Sequence, residues 1–150
     1  MVEINATYEG KLRTSAQHGP SGSCIETDAP VDNHGRGERF SPTDLLATSL
    51  GTCMMTIMGI FAERNEIDLT GTKVKVLKEM TPEPPRRIAK LTVEMTIPLP
   101  ADHPKASAIE KVAMTCPVFL SLHPEIEKPV TFRWVGGSVG RWEGVEGLRG

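Results

Sequence analysis

The sequence predicts an α+β protein in which a mostly antiparallel sheet wraps around one long, buried central helix. Two observations lead to this prediction. One helical stretch without charged residues lies near the middle of the 150-residue chain, and alternating strand patterns are grouped before and after it. We therefore predict a single domain over residues 1–150, with a loosely held, glycine-rich tail from about residue 136.

The composition argues against several classes of protein. The formal net charge is only −2, which is not typical of a protein that binds nucleic acid or acidic membranes. The N-terminus has no basic segment followed by an apolar run, so we expect no signal peptide and a cytoplasmic location. The three cysteines form no CxxC pair and the histidines lack metal-ligand spacing, so we expect neither a metal site nor a disulfide scaffold.

The N-terminal region reads as three strands followed by a loop. Glu3–Gly10 and Lys11–Gln17 are predicted to meet at a turn spanning Tyr8–Lys11, and Ser21–Thr27 is predicted as a third strand. Asp28–Phe40 is polar and contains proline and glycine, which predicts an exposed loop. Loops of this length often carry functional residues.

The central stretch Ser41–Asn65 is predicted to be one helix. Ser41 is a suitable N-cap, and Asp44 completes a capping-box pattern. No charged residue occurs from Leu45 to Ala62, which raises the question of a membrane span. Small and polar residues interrupt the run, so we predict a core helix instead. Because one small sheet would not cover such a helix, we also predict an obligate dimer.

The C-terminal half is predicted to contain two strands, two helices and a final strand: Lys73–Met80, Arg87–Ile97, His103–Thr115, a short helix opening at Pro117, and Lys128–Val135. A break in the alternation near residues 89–91 predicts a bulge in the second of these strands. Asp102 is predicted to be the N-cap of the first of the two helices.

Two of the cysteines are candidate reactive groups. Cys53 lies in the central helix, where burial would make a thiol inert, although nearby hydroxyls and the loop residues Arg36 and Arg39 could surround it. Cys116 precedes Pro117 at a predicted helix N-terminus, where amide groups and the helix dipole lower a thiol pKa. For each cysteine the alternative is simple core packing, while Cys24 is interpreted as structural.

Two cysteines that meet in space can reduce a peroxide. A thiolate attacks one peroxide oxygen and becomes a sulfenic acid, and a second thiol then condenses with it to a disulfide and releases water. The reaction also needs a cation near the thiolate and, for an organic substrate, an apolar pocket. The sequence alone leaves open whether Cys53 and Cys116 meet.

The stretch SPTDLLATSLGTCM around Cys53 and the later TCPVFLSL around Cys116 resemble the two signature stretches of the OsmC/Ohr family. These are the osmotically inducible and organic-hydroperoxide-resistance proteins, and the order of strands and helices is similar too. The resemblance implies an intertwined homodimer with its sites at the subunit interface. It also implies that Cys53 attacks the peroxide, that Cys116 resolves the sulfenic acid, and that a dithiol is the reductant, without metal or organic cofactor.

The family's peroxidases also use a glutamate and an arginine. By motif position the glutamate falls on Thr43, which has no carboxylate, and whether Asp44 replaces it stays open. The arginine would come from the loop before the helix, with Arg39 preferred and Arg36 as the alternative. We therefore predict a thiol-dependent peroxidase acting on organic hydroperoxides. The alternatives are a thiol redox switch or small-molecule-binding protein with little turnover, and a structural domain with inert thiols.

Overall fold

The computed structural model describes residues 1–136, so all of the predicted tail except Gly136 lies outside the described residues. Within these residues, six strands and three α-helices occur in this order: β1 (Ile4–Gly10), β2 (Arg13–His18), β3 (Cys24–Asp28), α1 (Pro42–Arg64), β4 (Lys73–Met80), β5 (Ile88–Ile97), α2 (Ala106–Ala113), α3 (Pro117–Ser121) and β6 (Val130–Trp134). The α+β class is confirmed. The strands form two three-stranded sheets instead of the single sheet expected, β1-β2-β3 and β4-β5-β6.

The chain divides into two compact units, with the boundary inside α1 between Ser49 and Leu50. The first unit contains β1 to β3, the loop that follows them and the first turns of α1. The second unit contains the remainder of α1 and all later elements. A single domain over residues 1–150 stays a prediction.

The first sheet is an antiparallel meander. Gly10 pairs with Arg13, so Lys11 and Leu12 form the hairpin turn, with φ angles of 54° and 63°. Left-handed residues at both positions give a two-residue turn whose twist matches that of the strands. The predicted turn at Tyr8–Lys11 is therefore too early. Lysine and leucine are not typical turn residues, so local sequence carried little signal for this position.

The second sheet is mixed. β4 and β5 are antiparallel, and β6 pairs in parallel with β5 after a crossover through α2 and α3, as a parallel neighbour requires. The predicted bulge in β5 is confirmed. Glu79 pairs with Lys90 and Met80 pairs with Ile88, which leaves Ala89 as the extra residue.

The core of the second unit is built from β5 and α1. β5 buries side chains at alternate positions, as a strand with one covered face does: Leu91, Val93, Met95 and Ile97. α1 buries side chains four residues apart: Leu50, Met54, Met58 and Ala62. Gly51 lies close to β4, because a Cβ atom there would be 3.0 Å from the Val76 side chain and 3.1 Å from Val74. A glycine at this position therefore permits the close approach of helix and strand.

α1 begins with the predicted capping box. The Asp44 N–H donates to Ser41 Oγ at 3.1 Å, and the Ser41 N–H donates to the Asp44 carboxylate at 2.9 Å. Burial along the helix is one-sided, however, since Leu46 and Ile60 are 41% and 42% exposed. A single chain therefore covers only part of this apolar helix.

α1 also meets the length and composition expected of a membrane-crossing helix, and it is the one helix in residues 1–136 that does. These two criteria are a weak indication, because the core helix of a soluble protein satisfies them as well. The buried positions of α1 described above support its interpretation as a core helix.

The two short helices differ in how well the sequence predicted them. α2 begins at Ala106, with Lys105 at the N-cap position and no side-chain cap, so the prediction of Asp102 as the cap is wrong. The Lys105 N–H instead donates to His103 Nδ1 at 3.1 Å, which makes the preceding residues a separate turn. α3 begins at Pro117 as predicted.

Candidate active site

Cys116 lies at the break between α2 and α3. Pro117 occupies the first helical position of α3, and Cys116 is the extended N-cap residue before it. Its sulfur accepts the Phe119 N–H at 3.2 Å, and the residue is fully buried. The helix break therefore holds this thiol in a fixed position inside the second unit.

Burial is the largest influence on the Cys116 thiol, and it raises the thiol pKa above the ordinary value of 9.0. The amides of Phe119 and Val118 lower the pKa, but burial and the nearby Cys53 together outweigh them. The prediction that the helix N-terminus lowers this pKa is therefore wrong in its net direction. The cost of removing a thiolate from water, together with the effect of Cys53, exceeds the stabilisation of the thiolate by the two amide groups. At neutral pH Cys116 is accordingly a thiol.

Cys53 is half-buried in α1, and its thiol lies close enough to the Cys116 thiol to interact with it. Negative charge on Cys53 further raises the pKa of Cys116. Both residues are free thiols in this structure. The second unit thus brings together two sulfur atoms that are far apart in the sequence.

Two of the helix hydroxyls expected near Cys53 donate to backbone carbonyls. Ser49 Oγ donates to the Leu45 carbonyl at 2.7 Å, and Thr56 Oγ1 donates to the Thr52 carbonyl at 2.8 Å. Such bonds to the preceding turn are common for serine and threonine inside helices. These two hydroxyls therefore donate hydrogen bonds within the helix.

Arg39 has a defined position in the first unit. Its Nε donates to the Glu26 carboxylate at 3.1 Å, and its Nη1 donates to the Glu38 carbonyl at 3.0 Å. The Arg39 side chain is 48% exposed. Arg36 is exposed in the same loop. Of the two arginines considered from the sequence, Arg39 is the one anchored to a strand.

Sequence reasoning missed a charged cluster around the end of β3. Asp28 is 1% exposed, and its Oδ2 lies 3.8 Å from Arg13 Nη2, while Arg13 also contacts the Glu38 carboxylate. Strand pairing brings Arg13 opposite Asp28. Because these three residues are widely spaced in the chain, no local sequence motif could predict the cluster.

Asp44, considered as a substitute for the missing glutamate, takes part in the cap of α1. Its carboxylate accepts the Ser41 N–H, and the Thr43 hydroxyl lies 3.1 Å from Ser41 Oγ. Within residues 1–136, no group of three or more His, Cys, Asp or Glu side chains could hold a metal ion.

A cavity of about 280 Å³ lies near the C-terminal end of α1. Its apolar lining includes Met55, Met58, Ala62 and Leu69. At about 100° per residue, the three helical positions face away from Cys53, so this cavity is separate from the thiol pair.

The raised pKa of Cys116 predicts how this thiol titrates. In a Cys24→Ser/Cys53→Ser variant, the pKa of Cys116 should be higher in the folded protein than in the unfolded chain, because burial is the largest cause of the shift and remains. The folded protein should correspondingly lose stability as the pH rises through the raised pKa, since the unfolded chain releases this proton first. Thiolate absorbance in the ultraviolet measures the titration, and the same variant unfolded in urea is the control. Titration of the folded variant at or below the value of the unfolded one would contradict the prediction.

Comparison with known proteins relates this chain to one protein family. The family described as OsmC-like protein matches residues 35–129, which include both cysteine-containing stretches. A structure from Psychrobacter arcticus, described as an osmotic stress induced and detoxification response protein, is 47% identical with a TM-score of 0.83. The alignment covers 89% of this chain and 96% of that one.

More distant structures share the fold. An organic hydroperoxide resistance protein OsmC from Legionella pneumophila is 14% identical with a TM-score of 0.70, over 89% of this chain and 96% of that chain. An OsmC-like protein from Mycoplasma pneumoniae is 16% identical with a TM-score of 0.72, over 90% and 97%. No curated protein sequence gives a significant match. With the family match spanning more than half of its length, this chain belongs to the OsmC family.

Proposed function

We propose that this protein is a thiol-dependent peroxidase that reduces organic hydroperoxides. The main support is that the Cys53 and Cys116 thiols lie close enough to interact with each other. Family membership adds to it, since the Legionella pneumophila neighbour is described as an organic hydroperoxide resistance protein. Two thiols in contact are what a peroxide-driven thiol–disulfide cycle requires.

The surroundings of the two cysteines suggest which one reacts first. Cys53 is half-buried, so a peroxide can reach it, whereas Cys116 is fully buried. The raised pKa of Cys116 also keeps it protonated and therefore a poor nucleophile toward peroxide. We accordingly assign peroxide attack to Cys53 and resolution to Cys116.

The proposed cycle has three balanced steps. The Cys53 thiolate attacks the terminal oxygen of ROOH, the O–O bond breaks, and one proton is taken up, which leaves Cys53–SOH and ROH. The Cys116 sulfur then attacks the Cys53 sulfur, and its proton leaves with the hydroxyl group as water. A dithiol finally reduces the Cys53–Cys116 disulfide to two thiols and is itself oxidised to a disulfide.

Arg39 is the cation proposed to assist the first step. A guanidinium near the reacting atoms would stabilise the thiolate and the alkoxide that develops as the O–O bond breaks. This role follows from the resemblance to the family's peroxidases and from the defined position of Arg39 in its loop.

The function is tested by mixing the protein with cumene hydroperoxide and excess dithiothreitol. We expect many peroxides to be consumed per chain, at a rate that depends on the dithiol. A Cys53→Ser variant should consume none above the background. An inactive wild-type protein, or equal activity in the variant, would refute the proposal.

The alternative function is a thiol switch that oxidises once and turns over poorly. One observation favours it: Asp44, the nearest carboxylate to the missing glutamate position, is engaged in the helix cap. In that case peroxide would form one disulfide per chain, and added dithiol would not sustain consumption. The same assay therefore separates the switch from the enzyme.

We also propose that the protein is a homodimer. The exposed apolar residue Ile60 lies in the stretch Leu45–Ala62 of α1, which has no charged residue and which a single chain leaves partly uncovered. We expect light scattering at micromolar concentration to give the mass of a dimer. An Ile60→Lys substitution should weaken it, whereas Leu77→Lys should not, because Leu77 is similarly exposed but lies beside Lys75 and Glu79 on a polar sheet face. A stable wild-type monomer would contradict the prediction.

The proposed cycle requires a reducing compartment, because the two thiols must be regenerated. OsmC family proteins are generally soluble. We therefore propose a cytoplasmic location and a cellular dithiol as the reductant.

A further inference from the structure

Asp28 is a buried carboxylate to which neither the sequence motifs nor the proposed cycle assigns a task. It is the last residue of β3 and is 1% exposed. One of its oxygens, Oδ1, has no hydrogen-bond partner among the described residues. Burying an acceptor without a partner is unfavourable for folding, so folding stability alone does not favour aspartate here.

The contacts of Asp28 hold the loop on both sides of Arg39. Its Oδ2 accepts the Glu38 N–H at 3.0 Å, and its own N–H donates to the Phe40 carbonyl at 3.1 Å. The two loop residues that adjoin Arg39 are therefore both tied to Asp28. Arg13 contacts the Asp28 and Glu38 carboxylates and so links the same loop to β2.

The same strand also orients the Arg39 side chain. Glu26 lies two residues before Asp28 on β3 and accepts the Arg39 Nε–H at 3.1 Å. Asp28 thus fixes the Arg39 backbone, while Glu26 contacts its guanidinium. Both contacts lie within the first unit.

We propose that Asp28 is a positioning residue for Arg39, an inference that rests on the proposed function, in which Arg39 assists peroxide reduction. The buried carboxylate of Asp28 fixes the backbone of the loop around Arg39. It thereby limits the positions that the Arg39 guanidinium can take. Loss of the Asp28 charge removes the ion pair with Arg13 and weakens the bond to the Glu38 N–H.

A double-mutant cycle on Asp28 and Arg39 tests this proposal. The measured quantity is the second-order rate constant for cumene hydroperoxide in wild type, Asp28→Asn, Arg39→Lys and the double variant. Asp28→Asn should lower this constant about 10-fold, since small displacements of a catalytic group are costly. In the Arg39→Lys background the further loss should be less than about 3-fold, because Asp28 acts through Arg39. Equal losses in both backgrounds would refute the proposal.

A spectroscopic measurement reports positioning without activity. The Nε–H resonance of Arg39, assigned by its loss in Arg39→Lys, should shift or broaden in Asp28→Asn and stay unchanged in Asp102→Asn, which alters an exposed aspartate. An unchanged Arg39 resonance in Asp28→Asn overturns the inference even if the protein is a peroxidase. Inactive wild-type protein, in contrast, overturns the proposed function.

A second variant allows the same test if Asp28→Asn does not fold. Arg13→Gln changes a side chain that is 34% exposed and removes the cationic partner of Asp28 and Glu38. It should shift the Arg39 resonance in the same direction and by a smaller amount. No shift in Arg13→Gln, in a protein with wild-type circular dichroism, would also count against the proposal.

Discussion

Replacing Cys116 with serine should stop turnover of an organic hydroperoxide while leaving the first reduction of peroxide intact. Cys53 can still attack, but its sulfenic acid has no adjacent thiol with which to form a disulfide. Steady-state consumption should fall about 100-fold or more, on the scale seen when an essential catalytic group is removed. A small dithiol that reduces the sulfenic acid directly would account for residual activity.

The chemical state of Cys53 provides the decisive measurement. After one equivalent of peroxide, the Cys116→Ser variant should give a dimedone adduct on Cys53 by mass spectrometry, while the wild type should give the Cys53–Cys116 disulfide. The matched control is Cys24→Ser, which alters an exposed thiol in β3 and should behave as the wild type. Normal turnover in Cys116→Ser would show that the two thiols do not act as a pair.

Replacing Leu91 with alanine should lower the free energy of unfolding by about 3 kcal/mol, within the range of 2–5 kcal/mol usual for a buried leucine. Leu91 is fully buried on the covered face of β5. Truncation removes apolar area and leaves a cavity that neighbouring β5 side chains can fill only in part. Urea denaturation followed by circular dichroism, at a fixed chain concentration, measures the loss.

The matched control for this prediction lies on the adjacent strand. Leu77 is 45% exposed on β4, so Leu77→Ala changes the same side chain where water already reaches it. Its cost should stay below about 1 kcal/mol, as for most surface substitutions. Similar losses in the two variants would mean that the covered face of this sheet has been assigned incorrectly.

Local sequence predicted the elements whose causes are local. The capping box joins Ser41 to Asp44, and both hydrogen bonds form as expected. Pro117 opens α3 and leaves Cys116 at its N-cap, since a proline at the first helical position lacks only an N–H that would be unpaired anyway. The break in alternation around Ala89 predicted the bulge of β5.

Predictions that depended on surroundings were less accurate. The hairpin turn at Lys11 and Leu12 requires two left-handed residues, a geometry that neither side chain favours, so pairing of the strands decides it. Six strands could be recognised, but their division into two sheets depends on long-range pairing. The uncharged run of α1 shows that this helix is apolar, whereas the one-sided burial depends on what packs against it.

In the candidate site, too, the sequence predicted some features and the tertiary structure decided others. From the sequence alone came the two thiols, the helix that carries Cys53, the helix break at Cys116 and the arginine-bearing loop. Tertiary structure decided that the thiols lie close together. It also decided that Cys116 stays protonated at neutral pH, because burial and the nearby Cys53 raise its pKa more than two amide groups lower it. It also assembled Arg13, Asp28 and Glu38, since strand pairing and loop closure join residues that are distant in the chain.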